Sequence, residues 1–158
     1  MFRELERINR KLSDDDCICL LKNEMRGVLS VTGDNGYPYG MPMNHLYKED
    51  DNCIYFHCGM SGHRLDSIRK SSKASYCVYD DGYRNNGEWA LNIKSVIVFG
   101  DVEIIDEEKT VEEICRKLSS KFTDDTEYVN KEIKAFLSET LLLRLVPAHI
   151  CGKLVIES

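Results

Sequence analysis

The chain lacks any long hydrophobic run. None of its apolar stretches approaches the ~20 residues that a bilayer-spanning helix needs. Its amino-terminal segment, MFRELERINRKL, is charged throughout and also lacks the apolar centre of a secretory signal. We therefore predict a cytoplasmic protein with no membrane partner.

An excess of basic residues is missing as well. The 158 residues include 21 Lys and Arg against 27 Asp and Glu, for a formal net charge of −6. Affinity for nucleic acid comes mainly from clustered Lys and Arg, because these side chains neutralise phosphates. The composition therefore predicts no nucleic-acid partner, while it allows a local basic site for a single phosphate.

The cysteines lack the pattern of a disulfide framework. There are seven, an odd number, and they are scattered along the chain, which favours reduced and mostly buried thiols. Four residues of types that bind zinc lie close together in sequence: Cys53, His57, Cys58 and His63. On a strand, however, Cys58 would lie on the opposite face from Cys53 and His57, and no CxxC pair would bring the side chains together. We therefore predict no metal site.

The composition that remains is that of an ordinary globular domain. The 42% hydrophobic and 30% charged residues are typical of soluble proteins. A chain of 158 residues is long enough to form one self-sufficient core, and no repeat, linker or low-complexity segment divides it. We predict a single domain over residues 1–158.

The most informative segment is 54–69, IYFHCGMSGHRLDSIR. Its alternating apolar residues predict a strand at 53–57, and a glycine-bounded turn then leads into a short helix at 63–70. A helix N-terminus offers unpaired N–H groups and a partial positive charge, and Arg64 could bind phosphate oxygens in a bidentate manner. The segment therefore predicts a phosphate site. The alternative is a surface turn followed by an amphipathic helix with solvated cations.

Hydrophobic periodicity and turn residues predict the other elements. A strong hairpin turn lies at 33–36. The long strand at 93–105 must bend, and Gly100 is the natural position for the bend. Pro147 cannot donate to a strand ladder, so we expect it to separate the last two strands. The expected strands are 27–32, 39–47, 53–57, 74–79, 93–105, 141–146 and 151–156, and the expected helices are 13–23, 63–70, 106–121 and 128–137.

This order of elements predicts a mainly β fold. Six or seven antiparallel strands with glycine-marked bends favour a small barrel with flanking helices, because closure removes exposed sheet edges.

Three segments of the chain, in their order and spacing, resemble one protein family: GVLSVTGDNGYPYGMPMNHLY, IYFHCGMSGHRLDSI and IKSVIVFGDVEII. The family is the flavin-binding split-barrel superfamily of pyridoxamine 5'-phosphate oxidase, and within it the 5-nitroimidazole reductase-like branch of nitroimidazole resistance proteins. The resemblance covers nearly the whole chain. It implies an antiparallel split barrel and a homodimer that binds FMN, or alternatively FAD, at the interface between its subunits.

The resemblance also implies a cofactor site drawn from four parts of the chain. These parts are the strand along the flavin ring (Pro42, Met43, Asn44 and His45), the end of the next strand beneath the ribityl chain (His57 and Cys58), the phosphate cluster (Gly62, His63 and Arg64), and positions that reach the flavin from the second subunit (Lys94 and Ser95). The phosphate cluster agrees with the interpretation of that turn from its residues alone.

The chain departs from the oxidase at two places. The paired basic residues of the oxidase's phosphate turn are here His63 and Arg64, and the oxidase's carboxy-terminal substrate-binding segment is not recognisable in ICGKLVIES. The resemblance therefore does not extend to the oxidation of pyridoxamine phosphate.

We predict a flavin-dependent oxidoreductase that passes electrons from a reduced nicotinamide, or a similar donor, to a small aromatic or nitro-containing acceptor. His45 is the candidate catalytic proton donor, because the pKa of histidine suits general acid catalysis; the alternative is a hydrogen-bonded structural histidine. No acid–base pair or triad is legible in the sequence. A non-catalytic flavin-binding or haem-binding protein is therefore an alternative function, and an interaction module with an empty barrel is a third.

Overall fold

The computed structural model describes residues 1–157, which contain seven strands and four α-helices. The strands are β1 (Arg26–Thr32), β2 (Pro38–Asn44), β3 (Leu46–Lys48), β4 (Cys53–Gly59), β5 (Lys73–Tyr79), β6 (Leu91–Ile105) and β7 (Thr140–Glu157). The helices are α1 (Asp14–Asn23), α2 (His63–Lys70), α3 (Glu108–Ser119) and α4 (Thr126–Phe136). No helix in this described part of the chain has the length and apolar character that a membrane crossing demands.

All seven strands join one antiparallel sheet in the order β2-β1-β5-β6-β7-β4-β3. β2 and β3 follow each other in the chain, yet they lie at opposite edges of the sheet, and His45 alone connects them. One residue can join the two edges only if the sheet curls until they approach each other. This confirms the predicted mainly β fold, a seven-stranded antiparallel split barrel with flanking helices.

The prediction of one continuous strand at 39–47 is wrong. β2 pairs with β1 as far as Asn44, and β3 pairs with β4 from Leu46. Buried residues alternate without interruption through this change of partner: Met41, Met43, His45 and Tyr47. Alternation indicates which face of a strand is buried, but not which strand lies beside it. The pattern therefore could not indicate that the chain crosses from one sheet edge to the other at His45.

The bend predicted at Gly100 is confirmed. The register between β6 and β7 shifts there, from Phe99 opposite His149 to Gly100 opposite Pro147. A Cβ atom on Gly100 would lie 2.1 Å from the carbonyl oxygen of Val146, so the two backbones can approach this closely only at a glycine. The expected separation of two strands at Pro147 is wrong, because β7 runs through the proline. Pro147 lies at the bulge, where a missing N–H group is tolerated.

The core fills the barrel, and α1 packs against it. Ser13 caps this helix by accepting a hydrogen bond from the backbone N–H of Asp16 at 3.1 Å. Leu20 and Leu21 of α1 belong to the main core cluster. A second cluster lies under α3, where Ile114 is among the buried residues. The wall that carries β2 and β4 is therefore supported from inside by close packing.

Candidate functional site

A cleft opens between β2 and β4, the place where the barrel is split. β2 is hydrogen-bonded only to β1, and β4 pairs with β7 and β3, so no ladder joins β2 to β4. The cleft has a volume of about 340 Å³. Seven residues line it: Pro42, Met43, Asn44, His57, Cys58, Gly59 and Arg64. Six of them are predicted cofactor-binding residues from three separate segments of the chain, and the fold brings these together.

Arg64, in the first turn of α2, is the one cationic side chain that lines the cleft in the described part of the chain. Its Nε donates to the sulfur of Met41 at 3.3 Å, and no carboxylate among residues 1–157 forms an ion pair with it. Sulfur is a weak acceptor, so most of the five donors of this guanidinium have no protein partner. An arginine with unused donors at the edge of a cleft is suited to bind an anion.

The start of α2 adds backbone donors beside Arg64. Gly62 precedes the helix with a φ of 121°, a conformation that favours glycine, and it has no side chain to cap the helix. The N–H groups of the first turn therefore have no side-chain acceptor at the cap position. Together with Arg64 they form the kind of cradle that binds phosphate.

The other titratable groups of the cleft are neutral near pH 7. The side chain of His57 keeps an exposed edge, but the surrounding protein displaces water from it, and this desolvation, followed by the charge of Arg64, lowers its pKa. Desolvation raises the pKa of the Cys58 thiol in spite of Arg64. Cys58 is therefore not an activated nucleophile. Of the described residues that line the cleft, Arg64 alone carries a net charge.

His63 does not line the cleft. Its ring stacks on Tyr39 with a centroid distance of 4.2 Å, and its Nε2 lies 3.4 Å from the carboxylate of Asp34. Lys70 at the other end of α2 also contacts Asp34, at 3.0 Å. His63 thus joins α2 to the hairpin between β1 and β2, and within the predicted phosphate cluster it is Arg64 that lines the cleft.

His45 lies inside the barrel and is completely buried. Its Nε2 is 2.7 Å from the carbonyl oxygen of Leu21, and its Nδ1 is 2.8 Å from the hydroxyl of Tyr76. Because a carbonyl can only accept, Nε2 carries the proton and Nδ1 accepts from Tyr76. Burial is the main cause that lowers the pKa of His45 to about 4. His45 does not line the cleft, and this geometry favours the structural alternative over proton donation.

Lys94 and Ser95, on β6, do not line the cleft of their own chain. The ammonium of Lys94 pairs with Asp16 at 2.9 Å, and the hydroxyl of Ser95 donates to the carbonyl oxygen of Lys153 at 3.4 Å. Their contact with a flavin bound to a second subunit stays a prediction.

A second cavity, which we call the groove, adjoins the cleft. It has a volume of about 370 Å³ and shares two lining residues with the cleft, Asn44 and His57. Its remaining lining comes mainly from α3, α4 and the loop between them. Aliphatic and aromatic side chains predominate: Leu118, Phe122, Tyr128, Val129, Ile133, Phe136 and Leu137.

The groove was missed by the reasoning from sequence. α4 has an apolar face, yet none of its residues is buried, and Tyr128 and Phe136 are 54% and 52% exposed. An amphipathic helix that leaves large aromatic residues exposed is a signal of a binding surface. The amphipathic pattern of α4 can be recognised in the sequence, but the exposure of Tyr128 and Phe136 is known only from the structure.

The fold and the cleft define a split-barrel protein with an arginine and an uncapped helix start at the split. The sequence profile of the pyridoxamine 5'-phosphate oxidase family matches residues 13–154. The chain belongs to this family, which confirms the predicted superfamily. A comparison with curated proteins gives no significant match.

Solved structures share this fold at low sequence identity. A Bacteroides thetaiotaomicron protein assigned to 5-nitroimidazole antibiotic resistance superposes with a TM-score of 0.76 at 14% identity, over 93% of this chain and 87% of that one. An FAD-binding protein from Mesorhizobium loti gives 0.66 at 20% identity, over 92% and 97% of the two chains. An FAD- and haem-binding protein from Mycobacterium smegmatis gives 0.71 at 18% identity, over 92% and 73%.

Proposed function

We propose that this protein is a flavin-dependent oxidoreductase that binds FMN in the cleft and reduces a small aromatic or nitro-containing molecule. The observation that carries the proposal is the unpaired guanidinium of Arg64 beside the uncapped start of α2, at one end of a cleft walled by β2 and β4. The similarity to FAD-binding and nitroimidazole resistance proteins supports the same cofactor class and acceptor class.

The residues of the cleft suit a flavin mononucleotide. Arg64 and the N–H groups of the α2 start would hold one phosphate, and the cleft supplies no second cation for a pyrophosphate. This favours FMN over FAD. Pro42, Met43 and Asn44 would lie along the ring, and their position on a paired strand gives the ring a rigid support.

A bound flavin supplies the two-electron chemistry by which a reduced nicotinamide is oxidised and the acceptor is reduced. The chain contributes binding, orientation and exclusion of water. The groove is the proposed acceptor site, because it is apolar, shares Asn44 and His57 with the cleft, and has a volume in the range of small-molecule sites.

We assign His45 to a positioning role. Both of its ring nitrogens are already bonded inside the barrel, so the residue holds the β2–β3 crossing instead of delivering a proton. Lys121 supports the same crossing, since its ammonium donates to the carbonyl oxygen of His45 at 3.0 Å. The crossing carries Asn44, which lines both cavities.

A homodimer is part of the proposal. The outer face of β6 exposes Ile97 and Phe99 at 39% and 38%, close to Lys94 and Ser95. An apolar face next to two predicted flavin contacts suits a symmetric two-fold interface. A monomeric mass of flavin-loaded protein in light scattering would remove the two-subunit site from this proposal.

The cofactor is tested by the absorption spectrum of the purified protein and the mass of whatever it releases on denaturation. We expect a yellow protein that releases FMN and oxidises a reduced nicotinamide when a nitroaromatic acceptor is present. FAD in the mass spectrum would correct the cofactor. A Soret band without flavin would support the haem-binding alternative, and a flavin-loaded protein without turnover would support a non-catalytic flavin binder. A colourless protein that takes up no added flavin would overturn the proposal. The remaining alternative would then be an interaction module with an empty barrel.

A further inference from the structure

Among residues 1–157, the groove lining contains one acidic side chain, that of Glu132 on α4, and no Lys or Arg. His57, which borders both cavities, is neutral near pH 7 because desolvation and Arg64 lower its pKa. The nearby ammonium of Lys121 is bound to the carbonyl oxygens of Glu24 and His45. The net charge of the groove lining is therefore negative and comes from a single carboxylate.

This carboxylate has no cationic partner in the protein. Neither an ion pair nor a side-chain hydrogen bond within residues 1–157 includes Glu132. The acids of the neighbouring helix differ, since Glu112 pairs with Arg116 at 2.8 Å and Glu113 with Lys117 at 2.7 Å. Those pairs follow the four-residue spacing of a helix face.

At the same spacing, Glu132 has aromatic neighbours. Tyr128 precedes it by four residues and Phe136 follows it by four, so all three side chains share one face of α4, and all three line the groove. Glu132 itself is half-buried. A carboxylate flanked by two aromatic rings offers an organic ammonium both an ion pair and contact with ring faces.

We propose that the groove selects an aromatic ligand that carries a protonated amine, and that Glu132 is the residue that determines this charge preference. The inference rests on the proposed function, because it names the class of acceptor that the groove takes. The ring of the ligand packs among Phe122, Tyr128 and Phe136, and its ammonium lies at Glu132. An anionic ring compound of the same size is disfavoured, because the groove has no cation to receive it.

The test uses three compounds that share a 4-nitrophenyl ring and carry a cationic, a neutral or an anionic side arm: 4-nitrobenzylamine, 4-nitrobenzyl alcohol and 4-nitrobenzoate. Dissociation constants are measured by calorimetry at pH 7 on flavin-loaded protein. We expect the amine to bind about threefold to fivefold more tightly than the alcohol, the scale of a partly exposed ion pair, and the benzoate more weakly than the alcohol. In Glu132→Gln the amine should lose this advantage. Glu127→Gln, on the same helix but outside the groove lining, is the matched control and should keep it.

The outcomes separate this inference from the proposed function. If all three compounds bind alike, or if Glu132→Gln keeps the preference for the amine, the charge selection is wrong even when the flavin-loaded protein reduces the neutral compound. If no flavin binds, the same titrations on flavin-free protein still measure the preference of the groove. Competition between the amine and FMN would mean that the flavin ring itself occupies the groove, which would overturn the proposal.

Discussion

Two polar centres near the end of β2 differ in how completely their hydrogen-bonding groups are paired. At His45 both ring nitrogens have partners inside the barrel, and the surrounding side chains exclude water. At Arg64 a guanidinium with five donors has only weak sulfur acceptors, those of Met41 and Cys58, and it borders an open cleft. A polar residue whose bonds are all made by the protein stabilises the fold, whereas one with unused donors at a cavity is available to a ligand.

This comparison predicts opposite effects for changes at the two centres. Changes at His45 should lower the free energy of unfolding and leave the intrinsic chemistry of a flavin intact. Changes at Arg64 should weaken flavin binding and leave the fold intact.

The largest expected effect is that of His45→Phe. The substitution keeps a planar ring but leaves the carbonyl oxygen of Leu21 without its donor. The hydroxyl of Tyr76 loses Nδ1 of His45 and keeps only the carbonyl oxygen of Met43, at 3.1 Å. We expect the free energy of unfolding to fall by about 3 kcal/mol, because one buried acceptor is left without a donor and Tyr76 loses one of its two partners. Denaturant unfolding measures this loss. Stopped-flow reoxidation of reduced flavin by a nitroaromatic acceptor should be unchanged in the folded variant. A slowing of reoxidation on the order of 10²-fold would instead make His45 the proton donor.

The pH dependence of stability should also locate His45 in the interior. Its pKa is about 4 in the folded protein, against 6.5 for an ordinary histidine. Above pH 6.5 neither the folded nor the unfolded chain binds a proton at His45, so His45 does not make the free energy of unfolding depend on pH there. Between pH 6.5 and 4 only the unfolded chain binds it, and stability falls as pH falls, by about 3 kcal/mol in all. The measurement is the difference between the unfolding free energies of the parent and His45→Gln across this range. Parallel pH profiles would show that His45 is exposed to solvent.

Arg64→Ala tests the other centre. We expect flavin binding to weaken by about 1.5–3 kcal/mol, the scale of charge-assisted hydrogen bonds, with no loss of core packing. Arg69→Ala is the matched control, because Arg69 lies on the same helix, pairs with Asp66 at 3.5 Å and does not line the cleft. Fluorescence titration with FMN measures both variants. If Arg64→Ala and Arg69→Ala bind FMN with equal affinity, the turn before α2 is not a phosphate site and α2 is an ordinary surface helix.

The smallest expected effect concerns the groove. Phe136 is 52% exposed, so Phe136→Ala should change the free energy of unfolding by about 0.5 kcal/mol or less. The affinity of flavin-loaded protein for 4-nitrobenzyl alcohol should fall by about 1 kcal/mol, the scale of one aromatic contact. Tyr37→Ala, an aromatic residue with 73% exposure outside the groove, is the control. An unchanged affinity after Phe136→Ala would place the aromatic ligand elsewhere.

Much of the fold could be predicted because many of its elements depend on interactions between residues that are close in sequence. The strand alternation, the Ser13 cap and the bend at Gly100 each depend on a few neighbouring residues. The candidate cleft was partly predictable for the same reason, since Arg64 and Gly62 form the helix start by themselves.

Other features depended on distant parts of the chain. His63 and Arg64 are adjacent, yet they contact different parts of the β1–β2 hairpin. His63 lies against Tyr39 and Asp34 near the turn, whereas Arg64 contacts Met41 farther along β2 and borders the cleft. Pro147 looked like a strand end, but the bulge opposite Gly100 accommodates it within β7.

The sequence by itself determined most of the strands, the helices and the family, because each depends on local periodicity, caps or motif order. Only the tertiary structure decided that β2 and β3 lie at opposite edges, that His45 is enclosed by the barrel, and that α3 and α4 form a groove beside the cleft. Those features depend on which segments meet after the sheet curls. Alternation of buried residues is the same for every possible neighbour, so it cannot carry that information.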